Sequence, residues 1–220
     1  MVFQEYVDLA KQLLPGTADD KIKGIVAVVF KDLCSREDWQ FMLVPDPVVV
    51  SFVSSQEDYD VEISAFRKVF QLEWKGTSDT TWRPIDYVQW VDYNKVKTGE
   101  IVANKTPIWT WKGRLANGKQ RFGFYPTPGA EYSQFRLIYF AEGSASMISR
   151  LDDSWAGVVL DGVQKYLIAD PNFKIAFMQQ YEAGVRRMIT REPIITRFTP
   201  PFMIDYYVAQ RMIDNADENY

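Results

Sequence analysis

At 220 residues, with 47% hydrophobic and 15% aromatic side chains against 25% charged, the chain carries enough apolar mass for a packed core, in one large domain or two small ones, which excludes general disorder. Its 25 basic and 29 acidic residues leave a net charge of −4, without the basic excess of a dedicated nucleic-acid binder. The absence of histidine removes Ser–His and Cys–His nucleophile pairs and every histidine metal site.

The lone Cys34 allows no disulfide within the chain, which fits a reducing compartment or indifference to redox. The longest apolar run, Ile25 to Phe30, is far shorter than the roughly 20 residues of a membrane span, so no membrane association is expected. The opening "MVFQEYVDLAKQ" has early acids and no basic start before an apolar stretch, unlike a secretory signal.

In chain order, Phe3, Tyr6, Val7, Ala10, Leu13 and Leu14 recur at helical spacing, and Pro15-Gly16 stops that helix. Thr17 is the expected cap of a second helix, with Asp19 and Asp20 in its first turn, where the helix dipole favours negative charge. Ile22, Ile25, Val26, Val29, Phe30 and Leu33 give this helix a continuous apolar stripe. In "SREDWQFMLVPDPVVVSF" the helical period ends, with Trp39 and Phe41 expected to anchor the helical side and Pro45 and Pro47 to stiffen the exit.

Residues 48–53, 66–74, 107–113, 120–126 and 134–140 are β-rich and bounded by turn residues. Asn117-Gly118 predicts a type I′ hairpin, because both central residues of that turn need positive φ. Residues 83–95 read as a short helix or turn, with Pro84 in its first turn. Helix returns with Trp155, Val158, Val159, Gly162, Val163, Tyr166 and Leu167, and Asp152 to Ser154 supply its capping candidates. Pro171 restarts it as a last amphipathic helix carrying Phe173, Phe177, Tyr181, Gly184, Val185 and Met188.

The fold class that follows is α+β. An antiparallel helical bundle forms from the N- and C-terminal helix pairs, residues 1–44 and 151–192, because neither pair can bury its stripe alone. Residues 45–150 are an inserted β-rich lobe, and residues 193–220 an extended C-terminal arm. In the arm Phe198, Phe202, Met203, Tyr206, Tyr207 and Met212 are too apolar for water, while Pro193, Pro200 and Pro201 prevent continuation of the helix. A segment of this kind is expected to dock on a partner or a neighbouring subunit, against the alternative that it folds back on its own domain.

Two further groups invite a functional reading. Lys112, Arg114, Lys119 and Arg121 flank the Asn-Gly turn with no acid between them, a candidate contact for DNA phosphate or an acidic partner, or else a solvated hairpin that discourages edge aggregation. Trp74, Trp82, Trp90, Trp109 and Trp111 suit a carbohydrate-stacking surface, or else a β core or subunit interface. Trp109 and Trp111 share one strand face. Glu37-Asp38 and Asp152-Asp153 sit at helix ends, where capping and solvation account for them, and Asn104-Lys105-Thr106 matches a glycosylation sequon without a secretion signal. No phosphate loop or metal-ligand spacing is present, so no cofactor and no catalytic residue is expected.

The ordered set "VDLAKQLLPGTADDKIKGIV", "REDWQFML", "RFGFYPTP", "FRLIYF" and "FKIAFMQQYEAGVRRMITRE" resembles the head-to-tail adaptor, or connector, proteins of tailed and especially short-tailed bacteriophages. The resemblance spans about residues 2–192, and the chain departs from shorter members in its long insert and apolar tail. It implies a structural virion protein at the portal–tail junction, assembled in the host cytoplasm. Such proteins form a ring of neighbouring copies, usually twelve, below the portal protein. The ring extends the DNA channel without specific DNA binding and carries the tail nozzle or tube proteins. A mildly acidic chain suits a conduit along which DNA slides. The rival readings are a carbohydrate-binding tail module and a carboxylate-dependent, tail-associated wall hydrolase.

Overall fold

The computed structural model describes residues 1–99 and 107–191. Among them it forms a mixed α+β chain whose contacts group into two units. Residues 1–46, 64–68 and 139 onward to 191 make the first, and the described residues of 47–63 and 69–138 the second.

In the first unit α1 (Phe3–Leu13) and α2 (Asp19–Arg36) follow the expected stripes in part, burying Tyr6, Val7 and Ala10 and then Ile22, Val26, Val29, Phe30 and Leu33, while Leu13 at the end of α1 is 50% exposed and Ile25 half-buried. The cap of α2 is Ala18 rather than Thr17, and it uses no side-chain hydrogen bond. Asp19 in the first turn pairs with Lys11 at 2.7 Å instead, tying the start of α2 to α1. From the other end of the chain come α4 (Ala156–Leu167) and α5 (Pro171–Arg191). Helix α1 packs on α2 and α4, α2 packs on α4, and α4 packs on α5. Two glycines permit that approach: a Cβ on Gly162 would meet Val29 at 2.5 Å and the Tyr181 ring at 3.0 Å, and one on Gly184 would meet Val158 at 2.7 Å. Tyr181 donates to Asp32 at 2.8 Å, and Arg36 bridges Asp32 and Glu182, so a polar clasp spans α2 and α5 beside the apolar seam.

Trp39 is fully buried, and its indole N–H donates to the Leu33 carbonyl at 2.8 Å, with Phe41 stacked on its ring. Asp38 pairs with Arg67 and Lys68, and Arg67 also donates to the Cys34 carbonyl. Residues 64–68 therefore belong with the helices although the sequence places them in the β segment. Cys34 is buried against Gly143, and burial pushes its thiol up to about 12.

The second unit holds two four-stranded sheets. One has the order β1 (Val48–Ser51), β8 (Tyr132–Ala141), β3 (Phe66–Gly76), β4 (Arg83–Pro84), with the first three residues of β3 and the last three of β8 counted in the first unit. The other has the order β2 (Asp58–Val61), β7 (Gln120–Tyr125), β6 (Ile108–Arg114), β5 (Asp86–Tyr87). Rings close the space between them: Phe135 on β8 meets Phe124 on β7 and Tyr59 on β2 at 5.0 and 5.3 Å, and Phe52 touches all three. Offset and edge contacts of this kind add to the area that the rings bury.

Two local expectations are corrected. Residues 83–87 are short strands with Pro84 in β4, and the helix there, α3 (Trp90–Thr98), begins later. It ends on Gly99 at φ +81°, whose N–H reaches back to the Lys95 and Val96 carbonyls, the left-handed stop that glycine adopts without steric cost. The β6–β7 turn is not type I′. Gly118 alone has positive φ, its N–H bonds to the Leu115 carbonyl at 2.9 Å, and the Leu115 N–H bonds to the Lys119 carbonyl at 2.8 Å. That is a three-residue loop with its last residue left-handed, which asks nothing unusual of Asn117.

Candidate functional site

Side chains alternate along β6 and β7, so each face of their sheet has its own chemistry. Trp109 opposite Phe124 and Trp111 opposite Phe122 lie on the face toward the other sheet. Ile108, Thr110 and Lys112 lie on the outer face, where α3 packs Tyr93 and Val96 over Ile108.

Lys112 ends at the centre of this outer face, and its side chain is only 12% exposed. It is the extra residue of a bulge between Trp111 and Gly113. Its ammonium lies 2.9 Å from Glu57 and 2.6 Å from Asp58, and over the rings of Trp90 and Tyr93 at 5.0 and 5.3 Å. Gly123 makes the room, since a Cβ there would overlap the Lys112 stem. Lys97 also reaches Glu57, at 2.7 Å, and the Tyr93 hydroxyl donates to it at 3.0 Å. Burial pushes the Glu57 carboxyl up, but hydrogen bonds from Lys97, Lys112 and Tyr93 outweigh it and bring the group down to about 2. Burial pushes the Tyr93 phenol strongly up, and Glu57 adds to that.

Of the four hairpin cations, the structure thus turns Lys112 inward. Arg121 lies flat against Asp60 in a two-pronged pair, at 2.7 and 2.8 Å, which holds the Asp60 carboxyl below its usual range. Arg114 is exposed and Lys119 half-buried at the loop, and neither has an ion pair among the described residues. The acids that engage the other two come from β2 and the residue before it. The signal for them was "EDYDV", where acids and apolar residues alternate from Asp58 to Val61 at the strand period, with Glu57 just before.

The tryptophans are dispersed. Trp109 is buried and donates to the Ile85 carbonyl at 3.0 Å, Trp74 packs on Tyr132, and Trp82 lies against both Lys75 and Arg136. Trp90 and Trp111 remain 45% and 41% exposed, on opposite faces of the sheet. Two rings placed so do not form one flat platform for a sugar.

A surface that the sequence reading missed lies on α5. Its first ten residues are nearly all exposed, and Phe173, expected in the buried stripe, is 60% exposed, with Ile175 and Met178 beside it. Phe198, Phe202, Met203, Tyr206, Tyr207 and Met212 of the arm lie outside the described residues.

No family model and no curated protein matches the chain. Solved structures that align with it include the neck of an empty gene transfer agent particle, at 12% identity and a TM-score of 0.27, and the virion of a native gene transfer agent particle, at 12% identity and 0.26. Each alignment covers 82% of this chain and 88% of the other. At these scores neither likeness implies a shared fold or a shared role.

Proposed function

We propose that the chain is a structural, non-catalytic virion protein of the head-to-tail adaptor type. Copies of it form a ring, of twelve subunits, below the portal protein, extend the DNA channel and carry the tail nozzle or tube. The observation behind this reading is that α1 and α2 from one end of the chain and α4 and α5 from the other pack in one unit, with a β segment between them in sequence. That is the layout implied by the adaptor-like motifs. In this reading the four helices are an antiparallel bundle, residues 45–150 are an inserted lobe facing tail components, and residues 193–220 are the arm that binds the portal or a neighbour through Phe198, Phe202, Met203, Tyr206, Tyr207 and Met212.

Electron micrographs of the protein mixed with its portal should show a ring beneath the portal vertex. A chain ending at Glu192 should keep its helical circular dichroism and lose portal binding. Portal binding undiminished by that truncation removes the arm from the proposal.

For the hairpin, Arg114 and Lys119 are the proposed contacts for tail proteins or DNA, while Lys112 and Arg121 hold the β unit together. Arg114→Ala with Lys119→Ala should leave stability within about 0.5 kcal/mol, as for surface sites outside ion pairs and the core. The same variant should weaken capture of tail proteins, measured by co-sedimentation with purified tail.

A further inference from the structure

The contacts of Gly162 with Tyr181 and of Gly184 with Val158 run α4 and α5 antiparallel, so the short 168–170 connection forms the tip of a helical hairpin. The α5 face that is buried at Tyr181, Gly184, Val185 and Met188 continues toward that tip through Phe173, Phe177 and Met178. There it outruns its cover. Tyr166 on α4 is 45% exposed, and on α5 Phe173, Ile175 and Met178 are 60%, 50% and 45% exposed. On α5 Ile175 and Met178, three apart, share one edge of the tip, and Phe173 and Phe177, four apart, share another, so the tip carries two apolar edges. Lys174 is exposed beside them, Lys165 lies over the Tyr181 and Tyr166 rings at 4.5 and 5.0 Å, and Asp170 is engaged in capping α5, accepting from the Asn172 N–H at 2.8 Å.

A second surface of the same unit has the opposite character. An open groove of about 670 Å³ runs along α1, lined by Val2 and Leu9 with Glu5, Asp8, Gln12 and Ser149, and by the Met1 ammonium, which is neutralised by its pair with Asp153. Val2 is 53% exposed, and Glu5 and Asp8 are both exposed. Lys11, the basic residue of α1, is drawn away to Asp19. The groove is thus apolar with an acidic rim, and the tip is apolar with a basic rim.

We propose that the α4–α5 tip of one copy docks in the α1 groove of a second copy, with Lys174 facing Glu5 and Asp8. The inference rests on the ring reading above and names the surfaces through which neighbours meet. Because the two patches differ, each copy offers one to each side, and a head-to-tail contact of that kind closes into a ring when the rotation between neighbours divides a full turn. The charge pairing sets the register and makes assembly weaker at high salt.

The test uses the full chain with added cysteines at Gln12 in the groove and Asn172 at the tip, both exposed and both outside the charge pair. Mixed Gln12→Cys and Asn172→Cys proteins should form a linked heterodimer under a short bismaleimide, and neither should self-link alone. The doubly substituted chain should give a ladder of linked oligomers. Asp8→Lys should raise the concentration for half-assembly about tenfold, and Lys174→Glu in the partner should reverse the shift. Absence of the heterodimer, or a double variant that links only within itself, overturns the docking. If rings are nevertheless seen by electron microscopy, only the docking falls. If the heterodimer forms and no ring appears with portal, the docking stands and the ring reading falls.

Discussion

Lys112→Met should lower the stability of the β unit by about 2–3 kcal/mol, read as a fall in the urea midpoint at unchanged slope. Removing one partner of a well-buried pair costs about 3–5 kcal/mol, and the smaller figure reflects the partial exposure of Glu57 and Asp58. The loss should shrink when Glu57→Gln is added, because the stranded carboxylate is then gone. The pH dependence follows from Glu57, whose folded value of about 2 lies below its ordinary 4.5. A depressed carboxyl stabilises the fold fully above about pH 4.5, and that contribution drains away as pH falls toward about 2. Natural protein should therefore lose stability across this window. Glu57→Gln should flatten the slope there, and Lys112→Met should flatten it in part, because Lys97 and Tyr93 still hold the carboxylate. An unchanged slope in Glu57→Gln would show that the cluster does not act through this residue.

Gly162→Val should cost the helical unit about 2–3 kcal/mol, the usual range for forcing extra carbons into a packed seam. Val29 and the Tyr181 ring stand where the new side chain must go, and both are held by the helices that carry them. Gly157 on the same helix has no atom within 4 Å of an added Cβ, so Gly157→Ala should instead gain about 0.5–1 kcal/mol from helix propensity. The opposite signs, measured by thermal circular dichroism, separate close packing from a general tolerance of α4.

The helices were legible because their stripes repeat over three or more turns. Ile22 through Leu33 reads as α2 without further help, and the burial follows it at every position but Ile25, which is half-buried. What the stripe does not carry is where its cover ends, which is why Phe173 looked like a core residue. Periodicity reports a face, and only tertiary packing says whether another element reaches it. The β strands with bulky alternation, such as β6 and β8, were legible for the same reason, whereas β2 was hidden by the acids on its outer face. Those acids also explain the hairpin. Lys112 looked free because Glu57 lies 55 positions away in sequence, and an ion pair at that separation leaves no local trace. The Asn-Gly signal was correct about a hairpin and misleading about its turn, since Gly118 alone supplied the unusual backbone.

The burial of Cys34 gives the two units separate reporters. With its thiol raised to about 12, only about one in ten thousand is ionised at pH 8, so a thiol reagent acts when α2 opens and hardly otherwise. Trp74, Trp82, Trp90, Trp109 and Trp111 all belong to the β unit, and only Trp39 and Trp155 to the helical one. Cysteine labelling kinetics therefore track the opening of the helices, while tryptophan emission is weighted toward the strands. One sample, followed by both signals through a denaturant series, yields two local stabilities in place of a single averaged one.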